Sequence, residues 1–268
     1  MDEMIENGWR VIRFQGDSFA PDDECIVIES PLTIMLNGEE FATIVCTPTN
    51  IHELLVGFLA SEGIIRFYDD IKDVTIDQQK GFAYVELHRT LSDIHKHHSK
   101  RFIGSCCGKS RQLYFTSDVK TAKTITNQLT ITAHQCYHLM TTLQQQSISF
   151  QKTGGIHNAA LCTVDHIILT HTDIGRHNTL DKIYGDILMK RIPLADKLIV
   201  FSGRVSSEVL LKLSKIGIGL LLSKSAPTDL ALQLAQDLGI TVIGFLRNQQ
   251  MNVYTHPQRI LEANQLLS

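Results

Sequence analysis

Two adjacent cysteines, Cys106 and Cys107, stand among small residues, with Lys100, Arg101, Lys109 and Arg111 close on either side. Burying that run would strand four cations, so residues 101–111 read as an exposed loop rather than as core. The chemistry it suits is that of a reactive thiol. The thiolate is the nucleophile, and neighbouring cations lower a thiol pKa below its free value of about 8.5. The other cysteines, Cys25, Cys46, Cys136 and Cys162, are scattered, and no CxxC or Cys/His cluster has zinc-ligand spacing. Neither a metal site nor a disulfide scaffold is expected. His95, His97 and His98 have no acidic or cysteine partner at useful spacing and read as a solvated loop.

A second group of residues suits an anion. Gly154 and Gly155 precede His157 and Asn158, where glycine permits close backbone approach to a ligand. Asp173, Gly175, Arg176 and His177 fall where a strand ends and a helix begins, a junction whose backbone N–H groups favour negative charge. Ser202, Gly203 and Arg204 repeat that junction, and Ser223 and Lys224 repeat it again. Ligands of open α/β sheets lie at the carboxyl ends of strands, so Arg176, Arg204 and Lys224 together suggest a cradle for a phosphorylated or nucleotide-bearing ligand. The last strand runs into Phe245, Leu246, Arg247 and Asn248, followed by Gln249 and Gln250, which adds donors and a ring for stacking.

These residues need elements to hold them. Residues 1–24 read as an irregular lead-in. Apolar runs on both sides of Asn37-Gly38 predict a hairpin, because both turn residues accept positive φ. The periodicity predicts helices over 50–64 and 133–146 and a second hairpin turning at 78–81. After Phe150 strands alternate with helices: 177–190, 206–216 and 227–238 are helical, with strands at LIVFSG, GLLLSKS and ITVIGFL. Such alternation implies right-handed crossovers and a largely parallel sheet. The expected architecture is α/β, α+β overall. A mainly β N-terminal domain spans 25–150, and a three-layer α/β ligand-binding domain spans 151–268.

The acidic start, MDEMIENGWRVIRF, has no apolar h-region, and no run approaches the ~18 apolar residues of a membrane span. A cytoplasmic protein with free thiols is expected. The net charge of −3, without a basic stripe, speaks against nucleic-acid binding.

In combination, SCCGKS, TGGIHNAA, DIGRHNTLDK, FSGRVSSE, LLSKSAPTDLA and GFLRN followed by VYTHP resemble the formate dehydrogenase accessory sulfurtransferases, the FdhD family, from about Pro31 onward. The resemblance implies a C-terminal domain of cytidine-deaminase-like topology and a homodimer. It also implies that a cysteine takes sulfur as a persulfide from a cysteine desulfurase. The sulfur then passes to the molybdenum (or tungsten) cofactor, as bis-molybdopterin guanine dinucleotide, before insertion into formate dehydrogenase. Its nucleotide end would occupy the strand-end cradle. Many members carry CGxCG where this chain has Ser105-Cys106-Cys107-Gly108-Lys109. Cys107 takes the matching position whichever Cys-Gly pair is the anchor, which makes it the persulfide carrier and Cys106 a helper or a bystander. The alternative is a cofactor chaperone without sulfur chemistry. A zinc deaminase is excluded by the missing HxE and PCxxC, and a vicinal dithiol redox centre is disfavoured by its strained ring.

Overall fold

The computed structural model describes residues 4–89, 101–103 and 122–266. Cys106 and Cys107 lie outside them. Two strands, β1 (Ile5–Gln15) and β2 (Ser18–Val27), form a separate antiparallel ribbon. The lead-in expected over residues 1–24 is thereby corrected. Gly16, at φ +65, makes the turn, and Pro21 pairs with Ile12 in a ribbon where both strands are edges and a missing N–H is tolerated. Ile12, Phe14 and Phe19 are exposed, with Phe14 and Phe19 packed ring to ring at 4.9 Å.

Next come β3 (Ser30–Leu36), β4 (Glu39–Cys46), helix α1 (Ile51–Ser61), β5 (Ile71–Asp77), β6 (Phe82–Leu87) and β7 (Arg101–Ile103). They build a five-stranded sheet of order β5-β6-β3-β4-β7. Asn37 and Gly38 turn at φ 47 and 87 as their types require. Among the described residues only one face of this sheet is covered, and its strands alternate accordingly: Leu32, Ile34 and Leu36 point inward, as do Ala42, Ile44 and Cys46.

The rest comprises α2 (Ala133–Gln146), α3 (Ile148–Thr153), β8 (His157–Cys162), β9 (Ile167–Asp173), α4 (Arg176–Lys190), β10 (Leu198–Phe201), α5 (Ser207–Ile216), β11 (Leu220–Ser223), α6 (Asp229–Leu238), β12 (Thr241–Arg247), β13 (Gln250–Val253) and α7 (Leu261–Asn264). The six-stranded sheet runs β13-β12-β11-β10-β8-β9. Only β10-β11 and β11-β12 pair in parallel; β8 is antiparallel to both β9 and β10, and β13 to β12. The largely parallel sheet is therefore corrected to a mixed one. A Thr163–His166 turn closes β8 and β9 into a hairpin, and such a turn cannot support a parallel crossover. Layers on both faces explain why β10 is apolar throughout and β11 apolar up to Ser223. Ile199 and Phe201 face the core shared with α1, α4, α5 and α6, while Leu198 and Val200 face α2.

That packing on α2 moves the expected boundary at 150/151. Helix α2 packs its Cys136, Leu139, Met140 and Leu143 on the six-stranded sheet and belongs with the C-terminal half. The two halves also share a single core through α1 and α4. These helices touch backbone to backbone at Gly57 and Gly185: a Cβ on Gly185 would lie 2.0 Å from the Glu53 carbonyl oxygen, and one on Gly57 1.7 Å from that of Asp181. Neither oxygen can swing aside as a side chain would. Gly185→Ala should cost about 3 kcal/mol, the upper end of ordinary overpacking, seen as a lower urea midpoint with an unchanged slope. A midpoint equal to the parent's would show that the helices part freely.

Candidate functional site

The carboxyl ends of β10, β11 and β12 and the start of β8 form one rim. Opposite stand α2 and α3, and between them lies a cavity of about 750 Å³. Gly154, Gly155, His157, Asn158, Ser202, Lys224, Phe245 and Arg247 line it. The far wall is Met140, Leu143, Gln144, Ser147, Phe150 and Gln151. A neighbouring hollow of about 700 Å³ shares Lys224 and Arg247 and adds Leu246, Asn248 and Gln249 with His134, Tyr137 and His138. Four stretches separated by up to about ninety residues of chain thus meet around one space, which is within the size range of a ligand pocket.

The serines of the rim tie it together, and Ser202 and Ser225 also line the cavity. Ser202 Oγ accepts the Asn158 N–H at 2.9 Å, Ser225 Oγ donates to the Ser202 carbonyl at 2.9 Å, and Ser223 Oγ donates to the Gly203 carbonyl at 2.9 Å. Ser223 is fully buried by that bond. Gly203 is needed for packing, since a Cβ there would stand 2.8 Å from the Phe201 ring. Positive charge comes from Lys224 and Arg247, the latter 5.6 Å over the Phe245 ring. Phe245 sits at φ 52, a left-handed conformation that costs a non-glycine residue roughly 1–2 kcal/mol, at an irregularity of β12 between Gly244 and Arg247. Asn248 and Gln249, both at positive φ, make the two-residue turn into β13.

Asp173 and Gly175 are placed otherwise than expected. Asp173 is fully buried and points away from the cavity. One oxygen accepts Gly175 N–H and Asn178 Nδ2, each at 2.8 Å; the other meets Lys182 Nζ at 2.7 Å and Thr47 Oγ1 at 2.9 Å. Lys182, equally buried, also donates to Thr47 Oγ1 and the Thr172 carbonyl. Asn178 donates in turn to the Val45 carbonyl at 2.9 Å. The motif read as an anion site is in this part a bolt, pinning the end of β4 to α4. A Cβ on Gly175 would strike the Asn178 amide at 2.7 Å.

Arg176 and His177 stand at the start of α4 behind His157. Arg176 Cβ lies 3.3 Å from where a Gly203 Cβ would be, Arg176 Nε is buried without a hydrogen-bond partner, and His177 Nε2 is 3.1 Å from Glu208. Arg204 and Gln250 do not line either hollow. Cys106 and Cys107 fall outside the described residues. The wall from α2 and α3 was missed in the sequence, because Gln144, Ser147 and Gln151 have the composition of ordinary surface helix. Among the described residues no group of three or more His, Cys, Asp or Glu could hold a metal ion, and no helix is long and apolar enough to cross a membrane.

Three histidines around this region have pKa values pushed below the usual imidazole range. Burial dominates in each. Arg176 then adds to it at His157, while Asp186 opposes it at His171 and Glu208 at His177. A base with a depressed folded pKa leaves its proton to the unfolded chain, so stability is complete above about pH 6.5 and is lost as pH falls through the folded values. Urea midpoints should therefore decline between pH 7.5 and 5.5, before ordinary carboxylates titrate. A flat profile over that range would contradict the burial.

The comparisons with known proteins agree with this architecture. The FdhD/NarQ family model matches residues 27–261. The chain is 57% identical over 251 residues to the sulfur carrier protein FdhD of Geobacillus kaustophilus, covering 94% of this chain and 95% of that one. It is 55% identical over 252 residues to the FdhD of Bacillus subtilis, covering 94% and 96%, and 49% identical over 265 residues to that of Staphylococcus aureus MRSA252, covering 99% and 100%. A crystal structure from Desulfotalea psychrophila, of a protein described as a putative formate dehydrogenase accessory protein, superposes with a TM-score of 0.78 at 23% identity over 96% of this chain and 99% of that one, a likeness of fold. With its motifs, its fold and these relatives in agreement, the chain belongs to the FdhD/NarQ family.

Proposed function

We propose that this protein is a sulfur carrier acting for formate dehydrogenase, with Cys107 as the carrying thiol and the strand-end cavity as the seat of the sulfur acceptor. The Cys107 thiolate attacks the outer sulfur of a persulfide on a cysteine desulfurase. The S–S bond breaks there, the desulfurase thiolate leaves, and Cys107 becomes the persulfide. The acceptor is the molybdenum cofactor in its bis-guanine-dinucleotide form, present as cargo.

The observation that carries the reading is the cavity itself. Lys224 and Arg247 bring two cations to a pocket that also offers glycine backbone, amide side chains and the Phe245 ring beside the apolar Met140, Leu143 and Phe150, a mixture suited to a phosphate joined to a purine. The family's sulfur carriers supply the chemistry to go with it. Guanosine diphosphate, as a stand-in for the nucleotide end, tests this half by calorimetry. The parent should bind it, and Lys224→Ala with Arg247→Ala should weaken binding about a hundredfold, about tenfold for each charge-assisted hydrogen bond removed. Unchanged affinity in that variant would remove the ligand from this cavity.

A further inference from the structure

The rim lies at the N-terminal ends of α4 and α5. Toward their C-terminal ends is a separate cavity of about 670 Å³, reached from the end of α1, to which nothing above assigns a role. Arg66, Arg89, Lys123 and Lys215 line it, four cations brought together from distant parts of the chain, and no carboxylate is among its described lining residues. The remaining wall is largely aliphatic, with ring surface from Phe67 and Tyr184.

One nearby acid, Asp70, is already engaged, and Glu62, between Ser61 and Gly63, is buried with an interaction of its own. Asp70 accepts the backbone N–H groups of Arg66 and Phe67 with one oxygen, at 2.7 and 3.0 Å, and its other oxygen stands 3.8 Å from Arg89. Lys215 is buried and donates to the Ser61 carbonyl at 2.6 Å. Among the described residues, the Arg66 guanidinium and the Lys123 ammonium meet no carboxylate within ion-pair distance. Arg66 instead lies 5.4 Å over the Phe67 ring. Lys123, though open to solvent, is held below the usual lysine range by partial desolvation first and by the Arg66 charge second. Like charges converging on a partly apolar hollow are stabilised by an anion between them.

We propose that this cavity is a second ligand site, which takes a phosphate-bearing small molecule. A guanidinium fork beside an ammonium suits a phosphate dianion. The volume exceeds what a bare ion needs, so the apolar wall would cover the rest of the molecule. The site is independent of the strand-end cavity and shares no residue with it.

Calorimetry with inorganic pyrophosphate and with adenosine monophosphate tests it on the full chain carrying Lys224→Ala and Arg247→Ala, so that the strand-end cavity is silenced. At least one probe should still bind. Adding Arg66→Gln and Lys123→Gln should weaken that binding about tenfold or more. These two side chains are exposed, so the variant should fold as its parent does. A second measurement needs no variant: pyrophosphate or adenosine monophosphate at saturation should slow acetylation of Lys123, read by peptide mass spectrometry. Binding of neither probe in the silenced background, binding unaltered by the added substitutions, or Lys123 acetylated at the same rate with and without the probe would each overturn the proposal.

Discussion

Replacing Cys107 by alanine should abolish formate dehydrogenase activity in cells that depend on this protein, while Cys106→Ala leaves most of it. The reason is a shortage of other competent thiols. Cys46, Cys136 and Cys162 are buried, and burial raises each of their pKa values to about 12, so at neutral pH they are neither thiolates nor accessible. Cys25 is half-buried in the β1–β2 ribbon. Cys106 and Cys107 are set among cations in the sequence, which favours the thiolate, and Gly108 follows Cys107 directly. The same variants should bind guanosine diphosphate as the parent does, since they leave Lys224, Arg247 and Phe245 in place. Full enzyme activity with Cys107→Ala would instead favour a cofactor chaperone that performs no sulfur chemistry.

Lys182→Met should be the most damaging single change to stability, costing about 3–5 kcal/mol, as expected for one partner removed from a buried ion pair. For a chain of this size that is roughly 10 °C in Tm. The substitution leaves the Asp173 carboxylate without its cation in a fully buried position, facing only the Thr47 hydroxyl and N–H, the Gly175 N–H and the Asn178 amide. Thermal unfolding of Lys182→Met beside Asp173→Asn and the double variant measures the coupling. The double variant should lose less than the sum of the single ones, because the orphaned charge is then gone. Additive losses would mean that Asp173 and Lys182 do not act as a pair.

That pair also shows what the sequence could and could not reveal. The Asn37-Gly38 hairpin, helix 133–146 and the run from β10 to β12 were legible because their signals are local: turn residues, apolar spacing, and strands ended by glycine. Asp173 was not. Its partners Lys182 and Asn178 lie within one turn or two of α4, but Thr47 is 126 residues away, and no window of sequence separates a carboxylate facing ligand from one locked to a distant strand. Similarly, Ser202, Ser223 and Lys224 belong to repeated strand-end motifs, yet the fold uses Ser223 as a tie, Ser202 as tie and lining both, and Lys224 as lining. The β1–β2 ribbon escaped because Pro21-Asp22-Asp23 has the composition of a turn, whereas it forms the middle of a strand that, among the described residues, pairs on one side alone. The mixed sheet escaped for a different reason, since a hairpin and a crossover begin with the same apolar run and are distinguished by the few residues that join them.

The proposed carrier role rests on sulfur reaching Cys107, and peptide mass spectrometry measures that directly. The full chain is incubated with a cysteine desulfurase and cysteine, then digested without reductant. The peptide bearing Cys106 and Cys107 should gain the mass of one sulfur atom, retain that gain in Cys106→Ala and lose it in Cys107→Ala. No added sulfur on the parent's peptide, or a gain that persists in Cys107→Ala, would contradict the account.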